Sequence, residues 1–232
     1  MVVEGTAGTP EIHARRIGAP GARIRAEWPR PDREVIRRFG TLPISIIGDA
    51  MHRLGAMHGQ IRSLWPGAAS AGPAVPVWVR AGDNALIHQA IALAQPGDVL
   101  VINAQGSTAH AVFGELMALK CLVQGVAGVV IDGVVRDVED LAALKFPVFA
   151  RGACASGPLK DGTGEVGYPI ACGGVVCAPG DVVLADGDGV VIVPIADAVS
   201  VLRHAESIAV WEQERRAELI AQLPDRAGPE PR

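Results

Sequence analysis

The chain has 232 residues, of which 49% are hydrophobic, and carries a formal net charge of −4. This size and composition fit a globular protein with ample apolar residues for a core. We expect a cytoplasmic protein that binds neither membrane nor nucleic acid, because the sequence has no run of about 18 apolar residues, no secretory signal and no strongly basic surface.

The N-terminal half predicts alternating helices and strands after an irregular start. Residues 1–30 are rich in Pro, Gly and Arg and have no sustained period, which predicts an extended arm. Two short helices follow, at 31–40 and 41–55, the second with Thr41 as its candidate cap. The next segments alternate strands at 74–82, 95–104 (a turn followed by a strand), 128–132 and 146–150 with helices at 84–94, 113–125 and 137–145. This alternation predicts an α/β fold with a parallel or mixed sheet.

The last third of the chain has a different pattern. Three Val-rich runs separated by Pro-Gly-Asp and Asp-Gly turns at 173–194 predict a β-meander. Residues 196–223 form one long amphipathic pattern, typical of a helix that packs on a neighbour. We therefore predict a single catalytic domain over 31–223 and a tail at 224–232.

Four cysteines, Cys121, Cys154, Cys172 and Cys177, have no C-x-x-C spacing. No histidine stands at a regular ligand distance from them, so the pattern does not favour a structural zinc site. We interpret all four as reduced core thiols.

The segments FGELMA (113–118) and DGVVRD (132–137) carry the candidate chemistry. Gly114 and Glu115 begin a helix after a glycine-containing loop, so the free first-turn amides around Leu116 and Met117 predict an anion site. Arg136, at the end of the adjacent strand, could complete the grip on a carboxylate because its planar guanidinium suits bidentate pairing.

Asp137, next to that arginine, has two interpretations. An aspartate at a helix start is commonly an N-cap, and that role alone would explain it. A carboxylate beside a carboxylate-binding arginine and an acidic residue also suits a divalent metal, because Mg²⁺ is usually held by one or two protein carboxylates with water and substrate oxygens.

These segments resemble a known family. GELMA (114–118), GVAGVVIDGVVRDVEDL (125–141) and GGVVCAPGDVVLADGDGVVIVP (173–194) are similar to the RraA-like family, which includes the class II 4-hydroxy-4-methyl-2-oxoglutarate / 4-carboxy-4-hydroxy-2-oxoadipate aldolases. The resemblance covers roughly 35–215. It implies a swivelling-type α/β fold and a Mg²⁺ or Mn²⁺ ion bound by the aspartate of the R-D pair.

The resemblance also assigns roles to individual positions. It places the arginine that holds the pyruvyl part at Arg136, the metal ligand at Asp137 and the acidic residue near the metal waters at Glu115. The backbone amides that take the substrate carboxylate correspond to Leu116 and Met117.

The family resemblance further implies a trimer or a dimer of trimers with active sites between subunits. A glutamate from the neighbouring C-terminal helix would contribute to each site, and Glu212 and Glu214 are both candidates. Family members that regulate ribonuclease E lack the metal aspartate, whereas this chain has Asp137.

The expected activity is a metal-dependent, pyruvate-forming lyase. Aldol cleavage of a 4-hydroxy-2-oxo acid and decarboxylation of oxaloacetate leave the same pyruvate enolate, which a bound metal would stabilise. A metal-linked water, relayed through Glu115, would serve as the base. The alternatives are a non-catalytic trimeric regulator of an RNA-processing enzyme and a housekeeping oligomer with residual decarboxylase activity.

A lysine Schiff base is the rival aldolase mechanism. Of the three lysines, Lys120 and Lys145 are predicted on helix surfaces, and Lys160 lies in a flexible-looking loop. The histidines His52, His88 and His110 are interpreted as packing or surface groups.

Overall fold

A computed structural model of the chain describes residues 21–223. The predicted tail and the first 20 residues of the predicted arm lie outside the described residues. The described strands are Ala22–Ile24 (β1), Arg62–Ser63 (β2), Ser70–Val79 (β3), Val99–Asn103 (β4), Ala111–Phe113 (β5), Gly128–Val135 (β6), Val148–Ala153 (β7), Gly164–Val166 (β8), Ile170–Cys172 (β9), Val175–Cys177 (β10), Val182–Asp186 (β11) and Gly189–Val193 (β12). The helices are Arg33–Phe39 (α1), Ile44–Ala50 (α2), Ala85–Leu93 (α3), Glu115–Gln124 (α4), Val138–Ala143 (α5) and Ala198–Ala221 (α6).

The main sheet is mixed, with the order β1-β8-β3-β4-β6-β7-β2. Its centre is parallel: β3 pairs with β4, β4 with β6 and β6 with β7, with Val101 opposite Val130 in the central pair. Antiparallel pairs join β8 to β3 and β2 to β7. This arrangement confirms the predicted α/β fold with a mixed sheet.

Both faces of the parallel centre are covered. Helices α3, α4 and α5 connect successive parallel strands and share one apolar core with them, including Leu86, Met117 and Leu141. A second core on the strands includes Met57, Ile170 and residues of β4 and β6. Because both faces are buried, every residue of β6 is buried, which explains its continuous Val and Ile run.

The C-terminal helix belongs to a third layer. α6 packs on α1 and α2, whose apolar side chains form a core with β11 and β12. Arg38 of α1 and Glu206 of α6 form a bidentate ion pair. The outer end of α6 leaves large apolar side chains exposed, such as Trp211 at 62%. Within residues 21–223, no helix combines the length and the hydropathy that crossing a membrane requires.

Three local predictions need correction. The Val-rich runs at 173–194 are not one meander: β11 and β12 form a hairpin on β3, whereas β10 pairs with β9 in a separate sheet. Ordered structure begins before Pro31, because β1 joins the sheet beside β8 and Trp28 is buried. The second helix begins after Pro43, and the Thr41 hydroxyl donates to the Arg38 carbonyl at the end of α1.

The four cysteines form no disulfide with one another within residues 21–223, and three of them are buried as predicted. Burial raises the pKa of Cys121 to about 12, and it raises the pKa values of Cys172 and Cys177 as well. Cys154 differs, because it is partly exposed at the end of β7 and lines a shallow hollow with Arg136 and Asp137. It is therefore not a core thiol.

Candidate active site

The buried strand β6 ends at Val135 and places Arg136 and Asp137 at the surface of the protein. Asp137 has φ 59° and ψ 42°, a left-handed conformation that non-glycine residues adopt infrequently and that aspartate tolerates better than most. Its side chain makes no capping hydrogen bond to α5. The carboxylate instead accepts a hydrogen bond from the Glu115 N–H, with Oδ2 3.2 Å away, and lies 3.4 Å from Arg136 Nε.

This contact makes Asp137 a link between the end of β6 and the first turn of α4. The N-cap interpretation therefore explains its backbone position, since it precedes α5, but not its side chain. The side chains of Arg136 and Asp137 are 45% and 35% exposed, so both remain accessible to a ligand.

Gly114 provides the space for this arrangement. A Cβ atom added there would lie 2.5 Å from Asp137 Oδ2 and 3.0 Å from Arg136 Cγ. The Gly114 backbone is extended, with φ −164°, so a side chain is excluded by contact and not by backbone strain. The absence of a side chain at Gly114 is what allows the β6 end and the α4 start to meet.

The first-turn amides of α4 are only partly free. Glu115 N–H donates to Asp137, and Met117 N–H donates to the Gly114 carbonyl at 3.0 Å. The Met117 N–H therefore has a partner within the chain, and its use for a substrate carboxylate stays a prediction. The Leu116 N–H has no hydrogen-bond partner in the part of the chain that the structure describes, so it remains the available donor.

A cavity of about 640 Å³ brings most of the predicted site residues together. Its lining includes Gly114, Leu116, Met117, Arg136 and Asp137. These five residues belong to two segments of the chain, 114–117 and 136–137, which are well separated in sequence. The cavity confirms that the fold brings the two segments to one place.

The three predicted acidic partners do not line this cavity. Glu115 contributes its backbone N–H to the site, but its side chain is not among the lining groups. Glu212 and Glu214 lie on α6, in the layer with α1 and α2, and neither borders the cavity within this chain.

Other lining residues were not predicted as site residues. Lys120 and Lys160 border the cavity and form what we call the cationic wall, and Asn84 and His88 lie beside them. His88 had been interpreted as a packing or surface group and Lys120 as a helix-surface lysine. Asn84 is the N-cap of α3 and His88 follows four residues later, a spacing that places both on one side of the helix and is the signal that could have identified them.

Two side chains beside the cationic wall have buried polar atoms that lack partners. Asn84 is 4% exposed, and its Oδ1 has no hydrogen bond among residues 21–223; its Nδ2 donates to Met117 Sδ at 3.5 Å. His88 Nδ1 is likewise buried without a partner there. Burial lowers the pKa of His88, and the nearby cations Lys120 and Lys160 lower it further, which favours the neutral imidazole.

The donor set suits a weakly held hard cation. Asp137 is the single carboxylate that borders the cavity, and no group of three His, Cys, Asp or Glu side chains in the described chain could form a complete metal cage. One partly exposed carboxylate is compatible with Mg²⁺ or Mn²⁺, which usually keep several waters and take further ligands from the substrate. The residues present therefore fit the expected metal.

Comparisons with known proteins agree with the resemblance noted in the sequence. The sequence model of the RraA-like family, described as Aldolase/RraA, matches residues 44–192. A protein of Halalkalibacterium halodurans named "Putative 4-hydroxy-4-methyl-2-oxoglutarate aldolase" is 38% identical over 173 residues, which cover 75% of this chain and 82% of the relative.

Solved structures of similar fold include two RraA proteins. RraAS2 of Streptomyces coelicolor, described as an unusual member of the RNase ES inhibitor RraA family, has a TM-score of 0.72 at 29% identity and covers 82% of this chain and 99% of its own. The RNA-processing inhibitor RraA of Thermus thermophilis has a TM-score of 0.61 at 32% identity, covering 66% and 92%. Because the family match spans more than half of the chain, including both segments that form the cavity, this protein belongs to the RraA-like family.

Proposed function

We propose that this protein is a divalent-metal-dependent lyase that releases pyruvate from 4-hydroxy-2-oxo acids of the 4-hydroxy-4-methyl-2-oxoglutarate type and from oxaloacetate. The observation that carries the proposal is the convergence of Arg136, Asp137 and the free Leu116 N–H on one cavity. The name of the Halalkalibacterium halodurans relative supports the same reaction class.

The pyruvyl end of the substrate would bind at Arg136 and Leu116. The guanidinium offers a planar pair of donors for a carboxylate, and the Leu116 N–H at the start of α4 adds a third, favoured by the positive end of the helix. Asp137 would hold the Mg²⁺ or Mn²⁺ ion, which when bound supplies Lewis-acid polarisation of the 2-oxo group. Arg136, 3.4 Å from the Asp137 carboxylate, also fixes the orientation of that carboxylate.

The cationic wall favours a substrate with a second acidic group. Three cationic side chains, Arg136, Lys120 and Lys160, border the cavity together with the single carboxylate of Asp137. This excess of positive charge attracts dianions, and a 640 Å³ cavity has room for a five-carbon chain with a carboxylate at each end. Asn84 and His88 also line the cavity and add polar side chains beside these cations.

A second copy of the chain would supply the missing acidic group. Since the Glu115 side chain does not border the cavity, proton transfer needs a carboxylate from elsewhere, and Glu212 or Glu214 of a neighbouring subunit is the proposed source. Helix α4 has exposed apolar residues beside the cavity, on which a neighbouring subunit can pack. They include Leu119, Leu122 and Val123, of which Val123 is 90% exposed. The proposed assembly is a trimer or hexamer.

The direct test is pyruvate release by the purified protein. 4-Hydroxy-4-methyl-2-oxoglutarate and oxaloacetate are supplied with Mg²⁺, with Mn²⁺ and after chelation, and the uncatalysed decarboxylation of oxaloacetate by free metal is subtracted. We expect release from both acids that disappears on chelation and returns with metal. Equal release without metal, or none from any oxo acid, would reject the proposal.

A second candidate function is regulation of an RNA-processing enzyme. The similarity to two RraA inhibitor structures favours it. In that case binding to the processing enzyme should be insensitive to Asp137→Asn, because no metal chemistry is involved. Pyruvate release that depends on Asp137 separates the lyase from this alternative.

A further inference from the structure

The loop at residues 157–162 contributes Gly157, Pro158 and Lys160 to the cavity. It contains no helix or strand, and its regular pairing is limited to one isolated bridge between Leu159 and Asp83. A lysine on such a loop has a defined position only if contacts from another element hold the loop. Those contacts come from the segment at the start of α3.

Asp83 makes two of these contacts through one carboxylate oxygen. Its side chain is 1% exposed, and Oδ2 accepts hydrogen bonds from the Asp161 N–H and, at 3.0 Å, from the Gly162 N–H. Oδ1 accepts from the Ala85 N–H at 2.8 Å, in the first turn of α3. The carboxylate thus ties the lysine loop to the helix that also carries His88.

Backbone hydrogen bonds continue this connection on both sides of Lys160. The Leu159 N–H donates to the Gly82 carbonyl at 2.8 Å, and the Asn84 N–H donates to the Leu159 carbonyl at 3.2 Å. The residues on either side of Lys160 are therefore held by Gly82, Asp83 and Asn84. Asp83 itself does not line the cavity.

We infer that Asp83 is a positioning residue that holds Lys160 in the cavity for the second acidic group of the substrate. The identity of the ligand rests on the proposed function. The contacts that hold the loop are independent of that function. The competing view is that Asp83 only caps α3, in which case the loop would keep its position without the carboxylate.

The test separates the two roles of Asp83 by substitution. Asp83→Ser keeps a hydroxyl that can cap the Ala85 N–H and removes the oxygen that holds the loop. Asp83→Asn is a second variant that keeps the side-chain size but replaces one acceptor by an amide donor. Asp161→Asn is the matched control. It removes a charge from the same loop and keeps the backbone N–H that donates a hydrogen bond to the Asp83 carboxylate.

Two readouts do not depend on turnover. Hydrogen exchange should rise in residues 158–162 of both Asp83 variants and remain slow in α3 of Asp83→Ser. Calorimetry with Mg²⁺ present should show 2-oxoglutarate, which has two carboxylates, binding about tenfold more weakly to the Asp83 variants, the scale of one lost ionic contact. Pyruvate, which has one carboxylate, should bind the variants and the wild type equally.

A double-mutant cycle with Lys160→Ala decides whether Asp83 acts through the lysine. We expect Asp83→Ser to weaken 2-oxoglutarate binding in the wild-type background and to have no further effect when Lys160 is absent. Additive losses, unchanged exchange in the loop, or failure of both Asp83 variants to fold would overturn the inference in favour of a structural role. If the wild type binds 2-oxoglutarate but releases no pyruvate from any oxo acid, the lyase proposal fails and the positioning role of Asp83 stands.

Discussion

Replacing Asp137 by Asn and Arg136 by Lys should strongly reduce catalysis in two different ways while leaving the fold intact. Asparagine tolerates the left-handed backbone of Asp137, and its amide oxygen can still accept the Glu115 N–H. The lost ion pair with Arg136 is long, at 3.4 Å, and both side chains are more than one third exposed. The stability cost should therefore be below about 1 kcal/mol.

The effect on catalysis should be much larger. Among residues 21–223, Asp137 is the single carboxylate bordering the cavity, so Asp137→Asn removes the direct protein charge on the proposed metal. Activity should fall by at least about 10²- to 10³-fold, the range observed when one oriented electrostatic contact is lost, with partial recovery at high metal. Arg136→Lys keeps the positive charge and loses the bidentate fork, so metal binding should persist while turnover falls by about 10²-fold.

Three measurements on each variant test this reasoning: the melting temperature, Mn²⁺ affinity by calorimetry, and the rate of pyruvate release. Asp140→Asn is the control, because Asp140 lies in the first turn of α5, is exposed and does not border the cavity. It should behave as the wild type. An Asp137→Asn protein with near-normal activity, or one that is inactive because it no longer folds, would refute the metal-site assignment.

Four further predictions concern the space, charge and assembly of the site. Gly114→Ala should abolish activity with little change in melting temperature, because its Cβ would clash with the Asp137 carboxylate. Gly48→Ala is the control, since an added Cβ has no atom within 4 Å there, and it should leave both activity and melting temperature unchanged. Borohydride added with pyruvate should leave no pyruvyl mass on Lys160, and a covalent adduct there would establish an imine mechanism. Burial and the cation Lys120 lower the pKa of His88 in the folded protein, so the unfolded chain binds a proton that the native one does not. Stability should therefore fall as the pH drops through about 6.5, and the loss should be smaller in His88→Gln when unfolding is followed between about pH 7.5 and 5.5. Light scattering should report a trimer or hexamer, and a monomer at micromolar concentration would remove the proposed role of a neighbouring glutamate.

The parallel centre of the fold could be predicted from the sequence because its signals are local. Alternating apolar strands and amphipathic helices specify β3, β4, β6 and β7, and the buried run 128–135 has the composition that a strand covered on both faces requires. The Arg136–Asp137 pair and the glycine-initiated helix α4 could be related for the same reason. Each follows a strand of the same parallel array, so both reach one edge of the sheet.

The errors arose where the partner of a segment is distant in sequence. Nothing in the Val-rich run of β10 indicates that it pairs with β9 and not with β11, because a short strand chooses its neighbour through tertiary packing. The cationic wall was missed for a similar reason. Lys120 has helix-surface spacing in the sequence, and only the packing of α3, α4 and the loop at 157–162 makes that surface the side of a cavity.

Departures from local preference concentrate around this cavity, and that pattern argues for function independently of the family. Among the non-glycine residues with a positive φ within residues 21–223, Asp137 is the one that borders the cavity. The others lie in turns or at the ends of helices and strands. Two of the five buried polar atoms without partners in that range belong to Asn84 and His88, which line the cavity. Each such feature costs about 1–3 kcal/mol of stability. The sheet beneath, whose strand β6 is buried along its whole length, supplies the stability that allows the chain to keep them at this cavity.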